Sequence, residues 1–250
     1  MDINQGLVDL FKDVYKEIPK FNKNSYEPTF KHYYEKHKDF ISNLITNIEE
    51  IEEDKRQDYI LELADVIPSF VSHLFETTHK THDEVDVNMT MAVYVIPILN
   101  YSHNEYLERL CEEMVDIWNS SKVTNLNLSY SEYSDIDSGF KKRLCYITTC
   151  ICEGLGKEDS CYELTTLREY RDNYLLKSVE GKELVEDYYQ IAPVIVMKLN
   201  MLKDKTKVLS NLYEKYIKRC IYLIENKNYV DCKNLYKEMV LALNNEEIYA

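Results

Sequence analysis

Glycine and proline are scarce: the chain holds five of each in 250 residues. A β-sandwich turns about every 8–12 residues and draws on such residues to do so, so that class is excluded. Long apolar runs are missing too, and none reaches the roughly 18 residues that a membrane-spanning helix needs. Basic residues are in deficit, with 30 Lys+Arg against 44 Asp+Glu and a net charge of −14. Nucleic-acid backbones and anionic membrane surfaces both attract Lys and Arg, so the sequence predicts neither as a partner. The opening MDINQGLVDLF lacks the basic start of a secretory signal, which predicts a cytoplasmic location. The seven cysteines are odd in number, and without export they are expected as reduced thiols.

Nucleotide and hydrolase fingerprints are absent as well. The sequence has no G-x-x-x-x-G-K-[ST], G-x-G-x-x-G, H-E-x-x-H or G-x-S-x-G, the motifs of phosphate loops, dinucleotide sites, zinc proteases and α/β-hydrolases. A ferritin-like di-metal centre needs Glu-x-x-His on two helices, and the chain does not supply it twice. Acidic pairs such as Glu49-Glu50 and Glu112-Glu113 read as solvated helix faces. No catalytic residue, metal or cofactor is assigned, and the reading leans away from an enzyme.

What remains is a globular composition, 45% hydrophobic and 30% charged, with helical periodicity throughout. Leu7, Leu10, Phe11 and Val14 fit a short helix that ends before Pro19. Phe30, Tyr33, Tyr34, His37, Phe40, Ile41, Leu44 and Ile48 recur at three and four, giving a long amphipathic helix with Pro28 in its first turn. Pro68 must kink or break the next one. The apolar stretch 89–99, interrupted by Pro97, is expected as helix because its surroundings are helical. The polar loop with His79, His82 and Asp83 has metal-compatible residue types but reads better as solvated loop. Residues 122–138, rich in Ser, Asn and Tyr, are expected as a linker between an N-terminal region, 1–121, and a C-terminal domain, 139–250. Two helices near 207–226 and 229–244 form a hairpin around Asn226-Lys227-Asn228. It faintly resembles one tetratricopeptide-type pair, with Tyr222, Tyr229, Cys232, Leu235, Tyr236 and Met239 among its seam residues. The expected fold is all-α, a bundle of roughly 8–10 helices.

The stretch 140–196 holds the candidate chemistry. On a wheel, Phe140, Leu144, Ile147, Ile151 and Leu155 form one apolar arc of a helix that Gly154 and Gly156 end. Cys145, Thr148, Thr149 and Cys152 flank it. The next helix, capped by Asp159, buries Leu164, Leu167, Tyr174 and Leu175, and Arg168 and Arg171 project from that same face. Arg168 and Asp172 stand at i, i+4, which predicts an ion pair. Arg171 needs another acceptor, such as a carboxylate, helix-end carbonyls or the Thr148 and Thr149 hydroxyls. Arg168, Arg171 and Asp172 against Cys145, Thr148, Thr149 and Cys152 would make a small-anion site; helix stapling is the plainer reading. Spacings of four, one and eight residues between Cys145, Cys150, Cys152 and Cys161 miss the C-x2-C pairs of zinc knuckles, so these are expected as buried core thiols. Cys145 with His73 or His103 is the remaining thiol–imidazole pairing.

In order, CYITT (145–149), LREYRD (167–172), Gly181, Tyr188-Tyr189 and Pro193 resemble the bacterial CFI-box domain family. That family opens on Cys-aromatic-Ile and continues with Leu-Arg-x-aromatic-Arg-Asp, a glycine, paired aromatics and a proline. The match covers about 50 of the 250 residues. Cytosolic Firmicute-type proteins of this kind share the longer form LCYITT…C…LTTLR. The resemblance implies a helical module from a bacterium and no reaction; Cys150, where the family carries a small residue, departs from it.

With no assembled catalytic set and 22 Tyr in the chain, a residue type enriched at interfaces, the leading expectation is a protein- or peptide-interaction module. Its acidic surface would favour a basic partner, and a homodimer through the 140–196 helices is a further option. A small-anion or metabolite-binding protein, or an enzyme, on the Arg/Cys/Thr cluster is the alternative.

Overall fold

The computed structural model describes residues 2–77, 84–141 and 145–245. The described residues are all-α, with no strand among them, and none of their helices is long and apolar enough to cross a membrane. The chain divides into two compact units, Met1–Gly139 and Phe140–Ala250.

In the first unit, α1 (Ile3–Tyr15) starts where the Asp2 carboxylate accepts the Asn4 and Gln5 N–H groups, and it buries Leu7, Leu10, Phe11 and Val14. Pro19 sits in the 3-10 turn Ile18–Lys20 that follows. Helix α2 (Lys23–Glu49) begins with a reciprocal cap. Asn22 Oδ1 accepts the Ser25 N–H at 3.1 Å, and Ser25 Oγ accepts the Asn22 N–H at 2.9 Å. Pro28 therefore lies past the first turn, not in it. The carbonyl its missing N–H leaves free belongs to Asn24, which is exposed to solvent. Helices α3 (Glu53–Ala64) and α4 (Val66–Thr77) are the predicted broken pair, parted at Asp65, just before Pro68 forces the change.

The apolar stretch is helical, with a complication. Helices α5 (Glu84–Thr90) and α6 (Ile96–Asn100) are joined by a π turn, Met91–Val95. Pro97 cannot donate the i→i−5 bond that such a turn calls for, which would orphan the Ala92 carbonyl; the Ser131 hydroxyl donates to it instead. Helix α7 (Glu105–Ser120) is capped by Asn104 and places Trp118 in the core.

The expected linker at 122–138 is instead part of the first unit. Val123, Thr124, Leu128 and Ile136 are buried. Asn88 Oδ1 accepts Trp118 Nε1–H at 3.0 Å and the Thr124 hydroxyl at 2.7 Å, while its amide donates to the Asn127 carbonyl at 3.1 Å. Asn119 pairs both ways with the Leu128 backbone, and Asn100 donates to the Ser131 carbonyl. Asn88, Asn100 and Asn119, which precede the stretch, satisfy the backbone of a packed loop. Helix α8 (Tyr133–Lys141) follows, with the Tyr133 ring 4.4 Å from that of Phe30.

The second unit does not carry the single helix expected from Phe140 to Leu155. Helix α8 ends at Lys141, and α9 (Tyr146–Gly154) starts after Cys145, which is a cap with non-helical backbone; Leu144 lies outside the described residues. The end of α9 is as expected. Gly156, at φ +73°, stands in the left-handed region, the Gly156 N–H bonds Glu153 O and the Lys157 N–H bonds Cys152 O. Helix α10 (Tyr162–Asn173) has Cys161, not Asp159, at its N-cap position, with no side-chain cap bond. A 3-10 turn, Leu175–Lys177, leads to α11 (Val179–Met201), whose first turn is capped by the Ser178 hydroxyl on the Gly181 N–H. Helix α12 (Lys205–Leu212) continues through a second π turn, Tyr213–Ile217, into α13 (Lys218–Glu225). Helix α14 (Tyr229–Asn244) completes the predicted hairpin. Its seam differs in one respect: Tyr222 is exposed, at 64%, and Cys220 and Ile221 take the inward positions with Cys232 and Met239.

Candidate ligand-binding site

Four helices of the second unit line a partly open cavity of about 240 Å³. Each contributes the side chains its period aims inward. Helix α11 supplies Leu184, Val185, Asp187, Tyr188 and Ile191, and α14 supplies Lys233, Tyr236, Lys237, Val240 and Leu241. Leu167, Tyr170 and Arg171 come from α10, with Leu175 just beyond it, and Cys145 and Thr148 from the start of α9. The aliphatic walls exceed in volume an apolar cavity of ~150 Å³, which already admits benzene.

The polar groups gather at the α9 end. Tyr188 OH accepts the Ile147 N–H at 3.0 Å, one of the donors a helix start leaves without an intrahelical partner. Tyr236 OH lies 3.4 Å from Tyr188 OH and 3.1 Å from Thr148 Oγ1, so three hydroxyls form one chain. Burial raises the pKa of Tyr188 and of Tyr236, and both stay neutral phenols. Arg171 comes in beside them. Its Nη1 donates to Tyr189 OH at 3.1 Å and to Cys145 Sγ at 3.5 Å, while Nε and Nη2 grip both carboxylate oxygens of Asp172 at 2.7 and 3.1 Å. Burial pushes the Cys145 thiol up against the opposing pull of Arg171. The thiol is therefore protonated at neutral pH, and a protonated thiol is a poor nucleophile.

Of the seven residues predicted for a site, Cys145, Thr148 and Arg171 line the cavity together. Arg168 lies beside Cys145 but does not line the cavity. Its guanidinium forks onto Asp159, with Nη2–Oδ1 at 2.6 Å and Nη1–Oδ2 at 3.3 Å, and also donates to the Asp159 carbonyl. The predicted Arg168–Asp172 pair is thus replaced by Arg168–Asp159 and Arg171–Asp172, because the turn before α10 folds Asp159 back over the helix while Asp172 lies beside Arg171. Thr149 is buried but does not line the cavity, and its hydroxyl has no hydrogen-bond partner among the described residues. Cys152 packs with Cys145 and Leu164 beside Cys161, and burial with the neighbouring Cys161 thiol pushes it up to about 12. Cys150 is buried near Asn200. His73 and His103 belong to the first unit, and His79, His82 and Asp83 lie outside the described residues. Among the described residues no three His, Cys, Asp or Glu side chains gather as a metal site.

The residues that composition did not single out are those of α11 and α14. Leu184, Asp187, Tyr188 and Ile191 repeat at three and four, as do Lys233, Tyr236, Lys237 and Val240, so the inward stripes are there to be read. Periodicity alone assigns such stripes to a packed core.

A second polar cluster braces the far side of α10. Lys157 and the Tyr213 hydroxyl both donate to Glu163 Oε1, and Lys157 reaches Tyr213 OH at 2.9 Å. Despite the opposing effect of burial, these two donors hold the Glu163 carboxyl down to about 2, from an ordinary 4.5. A depressed carboxylate contributes stability that is complete above its unfolded pKa and is lost as pH falls through the folded one. Unfolding midpoints measured between pH 4.5 and 2 are therefore expected to fall less steeply for Glu163→Gln than for the parent chain. Parallel acid limbs would refute the assignment.

No family model, curated protein or solved structure matches this chain.

Proposed function

We propose that the second unit is a small-molecule binding module that takes a ligand with an aliphatic body into the cavity between α9, α10, α11 and α14. One observation carries the reading: an apolar chamber of about 240 Å³ with Arg171, Thr148, Tyr188 and Tyr236 gathered at its α9 end. Ligand pockets are built this way, with apolar walls supplying affinity and a small polar set fixing orientation. Composition favours an interaction module; the chamber tips the choice to a ligand. With Cys145 protonated, the reading is of a binder and not of a thiol enzyme.

A wall substitution tests it. Leu184 is half-buried at the edge of the chamber, so Leu184→Trp fills space at modest cost to the fold. In the full chain, 1-octanol is expected to raise the Tm of the parent by several degrees at saturation and to leave Leu184→Trp unmoved. A parent chain that no aliphatic probe stabilises would overturn the proposal.

A further inference from the structure

We infer, resting on that reading, that the ligand is an aliphatic carboxylate, with its chain along the apolar walls and its head at the Arg171 end. The first observation is a reversal of charge. The chain as a whole carries −14, yet the chamber is lined by three cations, Arg171, Lys233 and Lys237, and one acid, Asp187. Two of the cations have partners, and those partners stand outside the lining. Asp172, which holds Arg171, is 51% exposed, and Glu180, which holds Lys233 at 2.8 Å, is 78% exposed, whereas both cations are 21% exposed. Water screens those two acids more than Arg171 and Lys233, while Lys237 and Asp187 are both exposed at the rim, so the charge facing the chamber from its shielded side chains is positive.

The second observation concerns donors. Thr148, Tyr236 and Tyr188 bring three hydroxyl protons to a chain with two hydroxyl–hydroxyl contacts, and the Ile147 N–H enters it from outside. Whichever way the protons run, one is left over among the described residues. Arg171 spends four of its five N–H groups, two on Asp172, one on Tyr189 and one on Cys145. The remaining Nη2 proton and the spare hydroxyl proton are two donors for a head with two acceptor oxygens. An alcohol would add a donor where donors are already in surplus, and an ammonium would meet the positive field. No bond is made or broken; the head is held by charge-assisted hydrogen bonds.

The experiment is a calorimetric titration of the full chain with octanoate, 1-octanol and octylammonium. Octanoate is expected to bind at least about tenfold more tightly than octanol, as charge-assisted bonds exceed neutral ones, and octylammonium not to bind. Arg171→Gln is expected to cut the octanoate preference to under about threefold while octanol binding persists. Because Arg171 also touches Tyr189 and Cys145, Lys237→Glu, an exposed change, serves as the second variant and should lower octanoate affinity alone. Octanoate and octanol bound equally by the parent would overturn the carboxylate head and leave the chamber's role intact. If none of the three binds at millimolar concentration, the binding module itself falls, and the head group with it.

Discussion

Gly181→Ala is expected to destabilise the second unit by about 3 kcal/mol or more, a large value for one added methyl. Gly181 is buried in the first turn of α11, and its backbone is not in the left-handed region, so conformational freedom is not the reason. Close approach is. A Cβ there would stand 2.0 Å from the Leu175 carbonyl oxygen, 2.7 Å from its carbon and 2.9 Å from Ser178 Oγ. Two of those atoms are backbone and cannot swing aside. Relief requires moving the 3-10 turn at 175–177 off α11, which also pulls away the Ser178 cap on the Gly181 N–H and shifts Leu175 at the chamber wall. Urea unfolding followed by far-UV circular dichroism measures the loss. Gly139→Ala is the control, since a Cβ there meets nothing within 4 Å and alanine is the better helix former by about 1 kcal/mol. A Gly181→Ala chain as stable as its parent would mean that the α11 entry is looser than described.

Asn88→Leu is expected to cost the first unit roughly 3 kcal/mol. The side chain is fully buried and makes three hydrogen bonds, to Trp118 Nε1, Thr124 Oγ1 and the Asn127 carbonyl. Leucine has nearly the same shape but no polar atom, so two donors and an acceptor are stranded where water cannot reach them freely. Each stranded group costs about 1–3 kcal/mol, and the sum is less than additive because they share one site. Trp118 is the chain's single tryptophan, so fluorescence reports this site alone. A lower urea midpoint with a red-shifted folded-state emission is the expected outcome, and an unchanged midpoint would show that the 122–132 loop contributes little to the unit.

How far these features can be read from sequence depends on which interactions set them. Helix positions follow from apolar spacing, and α1, the α3/α4 break and the α13/α14 hairpin are legible for that reason. Gly156 past the end of α9 is legible as well, because only one residue type takes that backbone cheaply. The polarity of 122–138 looks solvent-facing, but Thr124 bonds the Asn88 side chain across 36 positions, Ser131 bonds the Ala92 carbonyl, and α8 takes up the last residues. Arg168 was misassigned for a related reason, since Asp159 lies nine residues upstream, beyond any helical repeat. Three of seven proposed site residues line the chamber. Most of the lining, on α11 and α14, has the same periodicity as core, and no wheel separates a stripe that packs against atoms from one that faces a space.

The π turn at Tyr213–Ile217 has a consequence for chain length. It stores one residue more than an α turn would, so α12 and α13 run about 100° out of phase with each other relative to an uninterrupted helix. That offset is what turns Cys220 and Ile221 toward Cys232 and Met239. Removing a single residue from 213–217 would turn the π turn into a regular α turn and leave the α13 face in place, whereas winding the full-length segment as a regular helix would rotate α13 by about 100° and put Arg219 where Cys220 stands. Exposed loops are the usual place where a chain absorbs a one-residue deletion; here a helix interior holds such a place, and a deletion on either side of it, within α12 or α13, is the one that would turn the seam.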